Sequence, residues 1–308
     1  MSLAIVFPGQ GSQSMGMLAN LAAEYPLVTQ TFAEASAVLG YDLWDVVQQG
    51  PEARLNSTDV TQPAMLAAGV ACWRVWLAQG GAQPEVMAGH SLGEYTALTA
   101  AGSLDFADAI ALVEKRGQFM QAAVPAGEGA MAAILGLDDA AVRVVCDEAA
   151  TDGVVEAVNY NSPGQVVIAG ARAAVEQALE IARAAGAKRA LLLPVSVPSH
   201  CALMKPAAEQ LAEALAGISI APPAIPVINN VDVATESTPE GIRQALVRQL
   251  YQPVRWVESV QQMSAMGVDQ LIECGPGRVL VGLNKRIDKQ MATLAVFDPD
   301  SLAAALSA

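Results

Sequence analysis

An α/β fold, with helices around a mostly parallel sheet, is predicted by the way short apolar runs alternate with long helical stretches. The runs are LAIVF, EVMAGH, IPVINNV and QLIECG, and each ends in Gly, Pro or polar residues. Alanine- and leucine-rich stretches of helical length lie between them. This alternation is typical of parallel sheets with crossover helices. Functional groups of such sheets gather on the loops after the carboxyl ends of the strands.

The middle of the chain predicts a second, smaller unit. GAMAAILGL, a helix from about 138 to 150, the hairpin VVEAVNYNSPGQVVIAG, a helix from about 172 to 186 and KRALLLPVS follow in that order. The succession strand, helix, strand, strand, helix, strand is that of a ferredoxin-like α+β unit. We therefore predict an inserted small domain over residues 126–196 and a discontinuous large domain over 1–125 and 197–308. A ligand is expected in the groove between them.

The composition of the 308-residue chain excludes several classes of protein. Hydrophobic residues make up 53% of it, which suits a large core and excludes disorder. With 31 acidic and 17 basic residues the net charge is −14, so neither nucleic acid nor an anionic membrane should attract the chain as a whole. The start MSLAIVFPG lacks a basic segment, and the apolar stretch PAMLAAGVACWRVWLAQGG contains Arg74. We expect a soluble, cytoplasmic protein.

The spacing of cysteine and histidine indicates no metal site. The chain has only two histidines, and its four cysteines lie far apart without a CxxC pair. Zinc sites need clustered ligands of these types, so we predict no metal and expect reduced thiols, mostly in the core. Cys201 follows His200, but a passive role is expected for it. The four are Cys72, Cys146, Cys201 and Cys274.

The stretch AGHSLGEYTAL contains a candidate nucleophile, Ser91. A Gly-x-Ser-x-Gly sequence between a strand and a helix is typical of a nucleophile elbow, in which the glycines permit a sharp turn that exposes the serine hydroxyl. The N–H groups at the start of the helix, which would begin at Leu92, then face an oxyanion. The alternative is a glycine-rich helix N-terminus with Ser91 as its capping residue.

A serine at neutral pH needs a base, and the candidates are His90 and His200. His90 is the neighbour of Ser91, and adjacent side chains diverge on a tight turn, so we expect a structural role for it. His200, in VSVPSHCALM at the junction of the two domains, is the better candidate for a general base. An α/β-hydrolase places its histidine near the C-terminus, whereas more than a hundred residues follow His200.

A charge cluster, Glu114, Lys115 and Arg116, lies within an otherwise apolar helical stretch. One interpretation is a solvated helix face with ordinary side-chain pairs. The other is that one cation turns inward and binds a carboxylate on an acyl group. Arginine suits this role because its planar guanidinium binds a carboxylate through two hydrogen bonds and keeps its charge when desolvated.

The first strand ends in FPGQGSQS, which also fits the start of a dinucleotide-binding unit. Glu34 lies at a tolerable distance for a ribose-binding acid, but Ser14 stands at the third position of that fingerprint and Pro8 precedes the first glycine. The competing interpretation is that the glycines let the backbone amide of Gln10 approach an oxyanion formed at Ser91. The second interpretation is favoured, because the elbow needs a partner N–H from another strand-end loop.

Four motifs in order, VFPGQGSQ, GHSLGEY, VPSHCALM and GPGRVL, resemble the malonyl-CoA:acyl carrier protein transacylases of fatty acid synthesis. The resemblance extends to about residue 290 and includes TQPAML, NYNSPGQVVIAG, PVINNVDV and LVRQLYQPVRW. It implies an α/β-hydrolase-like large domain with a ferredoxin-like insert. It also implies a ping-pong transfer from malonyl-CoA to an acyl carrier protein, by a monomer without a cofactor of its own.

The resemblance also implies roles for individual residues. Ser91 would attack the malonyl thioester with His200 as general base, and the backbone N–H groups of Gln10 and Leu92 would form the oxyanion hole. Arg116 would hold the free carboxylate of the malonyl group.

Two glutamines complete the site implied by the resemblance. Gln62 of TQPA would line the acyl pocket, and the main-chain carbonyl of Gln249 would accept the N–H of His200 in place of an acid. Ser199 stands where polyketide acyltransferases selective for malonyl often carry an aromatic residue. The strictness for malonyl over other acyl groups is therefore left open.

Docking of a carrier protein needs local basic patches, because such carriers are acidic and this chain is acidic too. The candidates are Lys188 with Arg189, and Lys285 with Arg286. The alternative is that these four residues are ordinary solvated charges.

Three rival functions stay open at this point. A serine esterase or thioesterase would hydrolyse thioesters without an acceptor thiol. An acyltransferase subunit of a malonate decarboxylase or polyketide system would use the same chemistry with another carrier. A catalytically silent carrier-binding module would lack acylation altogether.

Overall fold

The computed structural model describes residues 2–151, 153–195 and 197–308, and these residues form two separate sheets. In chain order the strands are β1 (Leu3–Phe7), β2 (Val86–Gly89), β3 (Gly129–Leu135), β4 (Val155–Ser162), β5 (Gln165–Ala171), β6 (Arg189–Leu192), β7 (Val227–Ile228), β8 (Gln270–Cys274) and β9 (Ala292–Val296).

Helices pack against both sheets. They are α1 (Ala19–Glu24), α2 (Leu27–Leu39), α3 (Leu43–Gln49), α4 (Glu52–Leu55), α5 (Thr58–Ala78), α6 (Gly93–Ala100), α7 (Phe106–Ala123), α8 (Asp139–Ala149), α9 (Arg172–Ala184), α10 (Lys205–Ala216), α11 (Pro239–Gln249), α12 (Trp256–Ala265), α13 (Val279–Ile287) and α14 (Pro299–Leu306), with a short 3₁₀ helix at Ala202–Met204. Within the described part of the chain, no helix is both long and apolar enough to cross a membrane.

The larger sheet has five strands in the order β7-β2-β1-β8-β9, and every neighbouring pair is parallel. All five residues of β1 are buried, as expected for a parallel strand that is covered by helices on both faces. The predicted α/β fold is therefore confirmed. Strand β9 is an addition to the four predicted strands, because ATLAV is a short, half-exposed run at the edge of the sheet.

The smaller sheet has four strands in the order β4-β5-β3-β6, antiparallel throughout. Apolar residues of α8 and α9 pack against one face of it and form a core of their own. This arrangement confirms the ferredoxin-like unit. Its elements lie within the predicted range 126–196, of which residues 152 and 196 lie outside the described residues; the boundaries themselves stay a prediction.

The parallel pairing of β1 and β2 brings two loops together at one edge of the sheet. Phe7 at the end of β1 pairs with Gly89 at the end of β2, so the GQG loop and the Ser91 loop leave the sheet side by side. A Cβ atom on Gly9 would lie 2.5 Å from the carbonyl oxygen of His90. Only glycine permits this approach, and it brings the backbone of Gln10 to the nucleophile loop.

The cysteines and Glu34 also bear on predictions made from the sequence. All four cysteines are free and buried, and burial raises the pKa of Cys201 to about 12, which agrees with a passive core thiol.

Glu34 forms an ion pair with Arg74 between α2 and α5, with Nη–Oε distances of 2.9 and 3.0 Å. This pairing leaves the dinucleotide interpretation without its acidic residue.

Candidate active site

Ser91 lies on a sharp turn between β2 and α6. Its φ of +53° is in the left-handed region that residues with a side chain rarely adopt. A Cβ atom on Gly89 would lie 1.8 Å from the carbonyl carbon of Gly93, so the turn requires glycine there. The Ser91 hydroxyl contacts His200 and does not cap α6. The geometry is that of a nucleophile elbow.

His200 is placed to act as a base towards Ser91. Its Nε2 lies 2.7 Å from Ser91 Oγ, and its Nδ1 lies 2.6 Å from the backbone oxygen of Gln249. A carbonyl only accepts, so Nδ1 carries the hydrogen and Nε2 of the neutral ring presents its lone pair to the serine. Burial, assisted by the nearby Arg116 charge, lowers the pKa of His200 to about 3. The ring is therefore neutral at physiological pH.

Two backbone amides are available for an oxyanion. Among the described residues, the N–H groups of Gln10 and Leu92 donate to no acceptor, and both residues line the cleft. The N–H of Ser91 itself donates to Oδ1 of Asn230 at 2.7 Å and is not available. The arrangement agrees with the predicted pair of oxyanion-hole residues.

Arg116 turns inward from α7, whereas its neighbour Lys115 is exposed. The side chain of Arg116 is 1% exposed, borders the cleft, and lies with its guanidinium carbon 5.2 Å from the centre of the Tyr95 ring. Within the described part of the chain its Nε has no hydrogen-bond partner, and no carboxylate lies within ion-pair distance. A buried cation in this state favours an anionic ligand.

Gln62 differs from its prediction. It does not line the cleft but lies behind it, 1% exposed, with Oε1 accepting from Nη1 of Arg116 at 2.8 Å and Nε2 lying 3.4 Å from Sδ of Met120. Its amide is occupied by these contacts. Gln62 therefore supports the arginine, and we correct the expectation that it lines the acyl pocket.

Gln249 contributes both its backbone and its side chain. Besides the carbonyl that holds His200, its Oε1 accepts from Nη2 of Arg116 at 3.1 Å, and its Nε2 donates to the backbone oxygen of Ser91 at 3.0 Å. The predicted role of the carbonyl agrees with the structure. The side-chain contacts were not predicted.

Two further residues of the site were missed in the sequence. Glu94 and Asn230 are almost fully buried beneath Ser91, and burial raises the pKa of Glu94 to about 7. A carboxylate three residues after a candidate nucleophile, in GHSLGEY, is the signal that could have identified Glu94. Asn230 carries no local signal, because it contacts Ser91 from 139 positions away in the chain.

His90 has the structural role that was expected. Its Nε2 lies 2.8 Å from Oδ1 of Asn161 in β4, and its ring lies 5.6 Å from that of Trp256. Burial lowers its pKa, so the ring stays neutral. The residue connects the elbow to the smaller sheet and does not contact the Ser91 hydroxyl.

A cleft of about 460 Å³ separates the two sheets at Ser91. The larger domain contributes Gln10, Ser91 and Arg116 to its wall, and the smaller sheet contributes Met131 and Asn159. This is the groove in which the sequence predicted a ligand.

The four candidate docking residues are exposed, and none of them lines the cleft. Nη1 of Arg286 on α13 donates to Oε1 of Gln165 at the β4–β5 turn, at 2.8 Å. The side chain of Lys188 lies against Gly136, whose N–H donates to Gly164 in the same turn. The two pairs therefore flank one turn, and we call Lys188, Arg189, Lys285 and Arg286 the basic patch.

Known proteins are similar to this chain over nearly its whole length. The family model for the acyl transferase domain matches residues 4–296. The malonyl CoA-acyl carrier protein transacylase of Escherichia coli (strain K12) is 63% identical over 303 residues, which cover 98% of this chain and 98% of the relative.

Solved structures are similar to the same extent. An acyl carrier protein S-malonyltransferase from Vibrio cholerae is 63% identical, with a TM-score of 0.96 over 99% of both chains. A chain in a complex of a type II PKS acyl-carrier protein with its malonyl-transacylase is 61% identical, with a TM-score of 0.99 over 100% of this chain and 99% of that one.

Proposed function

The chain belongs to the acyl transferase domain family, and on that basis we propose that it transfers the malonyl group of malonyl-CoA to the phosphopantetheine thiol of an acyl carrier protein in fatty acid synthesis. The observation that carries the proposal is the position of the Ser91–His200 pair in one cleft with a buried arginine that has no carboxylate partner among the described residues. A nucleophile with its base indicates acyl transfer, and the arginine indicates an acyl group with a free carboxylate.

The first half-reaction loads Ser91. Its Oγ forms a bond to the thioester carbonyl carbon while its proton passes to Nε2 of His200, and the negative oxygen faces the N–H groups of Gln10 and Leu92. The carbon–sulfur bond then breaks. CoA leaves with the proton from His200, and a malonyl ester of Ser91 remains.

The second half-reaction reverses these steps with a different thiol. The phosphopantetheine thiol of the carrier gives its proton to His200 and attacks the ester carbonyl, after which the Ser91 oxygen leaves and regains a proton. The side chains of Ser91 and His200, the thioester of malonyl-CoA and the thiol of the carrier supply every group that reacts, so the proposal includes no cofactor and no metal.

A neutral carbonyl takes the place of the acid of a catalytic triad. The oxygen of Gln249 orients His200 but stabilises an imidazolium less than a carboxylate would. A weak base suffices here, because a thioester is an activated acyl donor. Burial, and then the positive charge of Arg116, lower the pKa of His200 and keep the base weak; the carboxylate of the bound substrate compensates the second contribution.

The basic patch is the proposed docking surface for the acidic carrier. Arg189 lies about 13 Å along the extended chain from Leu193, which borders the cleft, at about 3.3 Å per residue. A carrier held at this distance can reach Ser91 only with a long flexible arm, and phosphopantetheine is such an arm. The positive charges also reverse the repulsion between two acidic proteins locally.

We further propose that the protein acts as a monomer in the cytoplasm. Four free cysteines, all buried, suit a reducing compartment.

A polyketide carrier is a second candidate acceptor. The specific reason is the 61% identical malonyl-transacylase that forms a complex with a type II PKS acyl-carrier protein. The chemistry at Ser91 is the same for both acceptors. Transfer rates to a fatty acid carrier and to a polyketide carrier, measured side by side, distinguish the two.

The decisive experiment is intact mass spectrometry after mixing with malonyl-CoA. We expect a malonyl adduct that disappears when phosphopantetheine-loaded carrier is added, and no adduct on Ser91→Ala. CoA release beyond the one equivalent that loading of Ser91 sets free should depend on the acceptor. Equal CoA turnover with and without carrier would identify a thioesterase, and absence of any adduct on the unaltered chain would identify a silent binding module.

A further inference from the structure

A buried carboxylate lies directly beneath the nucleophile elbow and does not line the cleft. Glu94 is 2% exposed and follows Ser91 by three residues, in the first turn of α6. Its Oε2 accepts two hydrogen bonds, from the backbone N–H of Asn230 at 2.8 Å and from Nε2 of Gln249 at 2.9 Å. One oxygen atom therefore joins the start of α6 to two residues that lie 136 and 155 positions away in the chain.

Asn230 connects Glu94 to the backbone of the elbow. Its Oδ1 accepts the N–H of Ser91 and its Nδ2 donates to the oxygen of Gly89, both at 2.7 Å. Ser91 has the positive φ noted above, a conformation that persists only where the surroundings enforce it. Asn230 enforces this conformation of Ser91, and the backbone N–H of Asn230 in turn donates to Glu94.

Gln249 connects Glu94 to the base and to the arginine. Because Nε2 of Gln249 donates to Glu94 and to the Ser91 oxygen, its Oε1 must face Arg116, and the amide cannot flip without losing these bonds. The backbone oxygen of the same residue holds His200. The orientation of one glutamine therefore relates the nucleophile, the base and the cation.

We propose that Glu94 is a positioning residue. Through Asn230 and Gln249 it fixes the positions of Ser91, His200 and Arg116 relative to one another. It acts by the place of its accepting oxygen and not by its negative charge. The alternative is a buried countercharge for Arg116, but the two side chains form no ion pair in the described structure. The identity of the acyl group rests on the proposed function, whereas the role of Glu94 towards Ser91 does not.

Two substitutions separate placement from charge. Glu94→Gln keeps an oxygen where Oε2 lies and removes the charge, while Glu94→Asp keeps the charge and withdraws the oxygen by about 1.5 Å, one carbon–carbon bond. We expect Glu94→Asp to lower the rate constant of Ser91 loading at saturating malonyl-CoA about 100-fold, with little change in the half-saturating concentration. Glu94→Gln should restore most of the rate.

A second readout needs neither malonyl-CoA nor carrier. Phenylmethanesulfonyl fluoride reacts with an activated serine: the Oγ–S bond forms, the S–F bond breaks, fluoride leaves, and the proton passes to His200 and then to water. The same ranking of variants is expected with this reagent. If the unaltered chain reacts with phenylmethanesulfonyl fluoride but takes no malonyl group, the proposed function fails, while the ranking of the variants with this reagent still tests Glu94.

Glu273 supplies a matched control. It is also fully buried, burial also raises its pKa to about 7, and its carboxylate accepts backbone N–H groups of Leu280 and Val281 at 3.1 and 2.8 Å. It does not line the cleft, and in the described structure its side-chain hydrogen bonds go to the start of α13 and to no residue of the site. Glu273→Gln and Glu273→Asp should lower the melting temperature without changing the loading rate per folded molecule.

The proposal is overturned if Glu94→Asp loads Ser91 as fast as Glu94→Gln or faster, or if both match the unaltered chain. Should neither variant fold, Gln249→Met removes the amide that joins Glu94 to the elbow and keeps the carbonyl that holds His200; its loading is measured with phenylmethanesulfonyl fluoride, which has no carboxylate for Arg116 to bind. Loading at least about tenfold slower would support the proposal. Loading at the unaltered rate would overturn it.

Discussion

The floor of the cleft and the basic patch differ in how far their ionisable side chains are buried and hydrogen-bonded. Arg116 and His200 on the floor, and Glu94 beneath it, are each at most 2% exposed and hydrogen-bonded to defined partners. The residues of the basic patch are exposed, and one side chain among them, Arg286, makes a hydrogen bond to a neighbour. Electrostatic interactions between buried groups are strong, whereas salt largely screens exposed charges that are more than about 8 Å apart.

This difference assigns the two regions different roles: the floor selects the acyl group, and the basic patch affects the encounter with the carrier. A cation on the floor has given up its hydration, so it distinguishes an acyl group with a carboxylate from one without. A cation in the patch keeps its hydration and changes mainly how fast an acidic partner arrives. Three experiments test whether buried and exposed charges act in these different ways.

Removing the buried cation should have the largest effect. Arg116→Ala should slow loading of Ser91 from malonyl-CoA about 100-fold, because two charge-assisted hydrogen bonds to the carboxylate are lost. Loading from acetyl-CoA should improve relative to malonyl-CoA. Single-turnover loading from both donors measures this ratio, and Arg116→Lys is the control that keeps the charge but loses the planar guanidinium. An equal loss for both donors would show that Arg116 serves the structure of the floor only.

The pH dependence of loading tests the burial of the base. A base works in its neutral form, and a lowered pKa extends that form to lower pH. With the pKa of His200 lowered to about 3, kcat/KM for loading should fall less than about twofold between pH 7.5 and 5.5. A histidine with an ordinary pKa near 6.5 would give about a tenfold loss. Because Arg116 contributes to the lowering, the profile of Arg116→Ala with acetyl-CoA should move to higher pH. A tenfold loss in the unaltered chain would contradict a desolvated His200.

Charge reversal in the basic patch should have the smallest effect and the strongest dependence on salt. The double variant Lys285→Glu/Arg286→Glu should slow transfer to the carrier about tenfold at low ionic strength, and less at high ionic strength. Loading from malonyl-CoA should stay nearly unchanged. The control is Lys115→Glu/Lys205→Glu, which makes the same change in net charge at exposed lysines outside the patch. Equal losses in both half-reactions would rule out a docking role.

Much of the fold and the reacting residues could be predicted from the sequence. The strands around Ser91 and the βαββαβ order of the smaller unit produce periodic patterns within short windows, and the flanking glycines mark the elbow locally. Strand β9 was missed because its five residues include an exposed and a half-exposed position. His200 was found by elimination among two histidines, which is a property of composition.

The sequence by itself determined the layers, the elbow and the nucleophile, because each depends on residues that are close together in the chain. The tertiary structure alone decided that Arg116 points inward while Lys115 does not, that Gln62 lies behind the arginine, and that Glu94 and Asn230 hold the elbow. Those outcomes depend on contacts such as Gln249 with Glu94, 155 positions apart. A local pattern carries no information on such a contact, because packing of the whole chain brings its two ends together and sets the burial that gives each charge its effect.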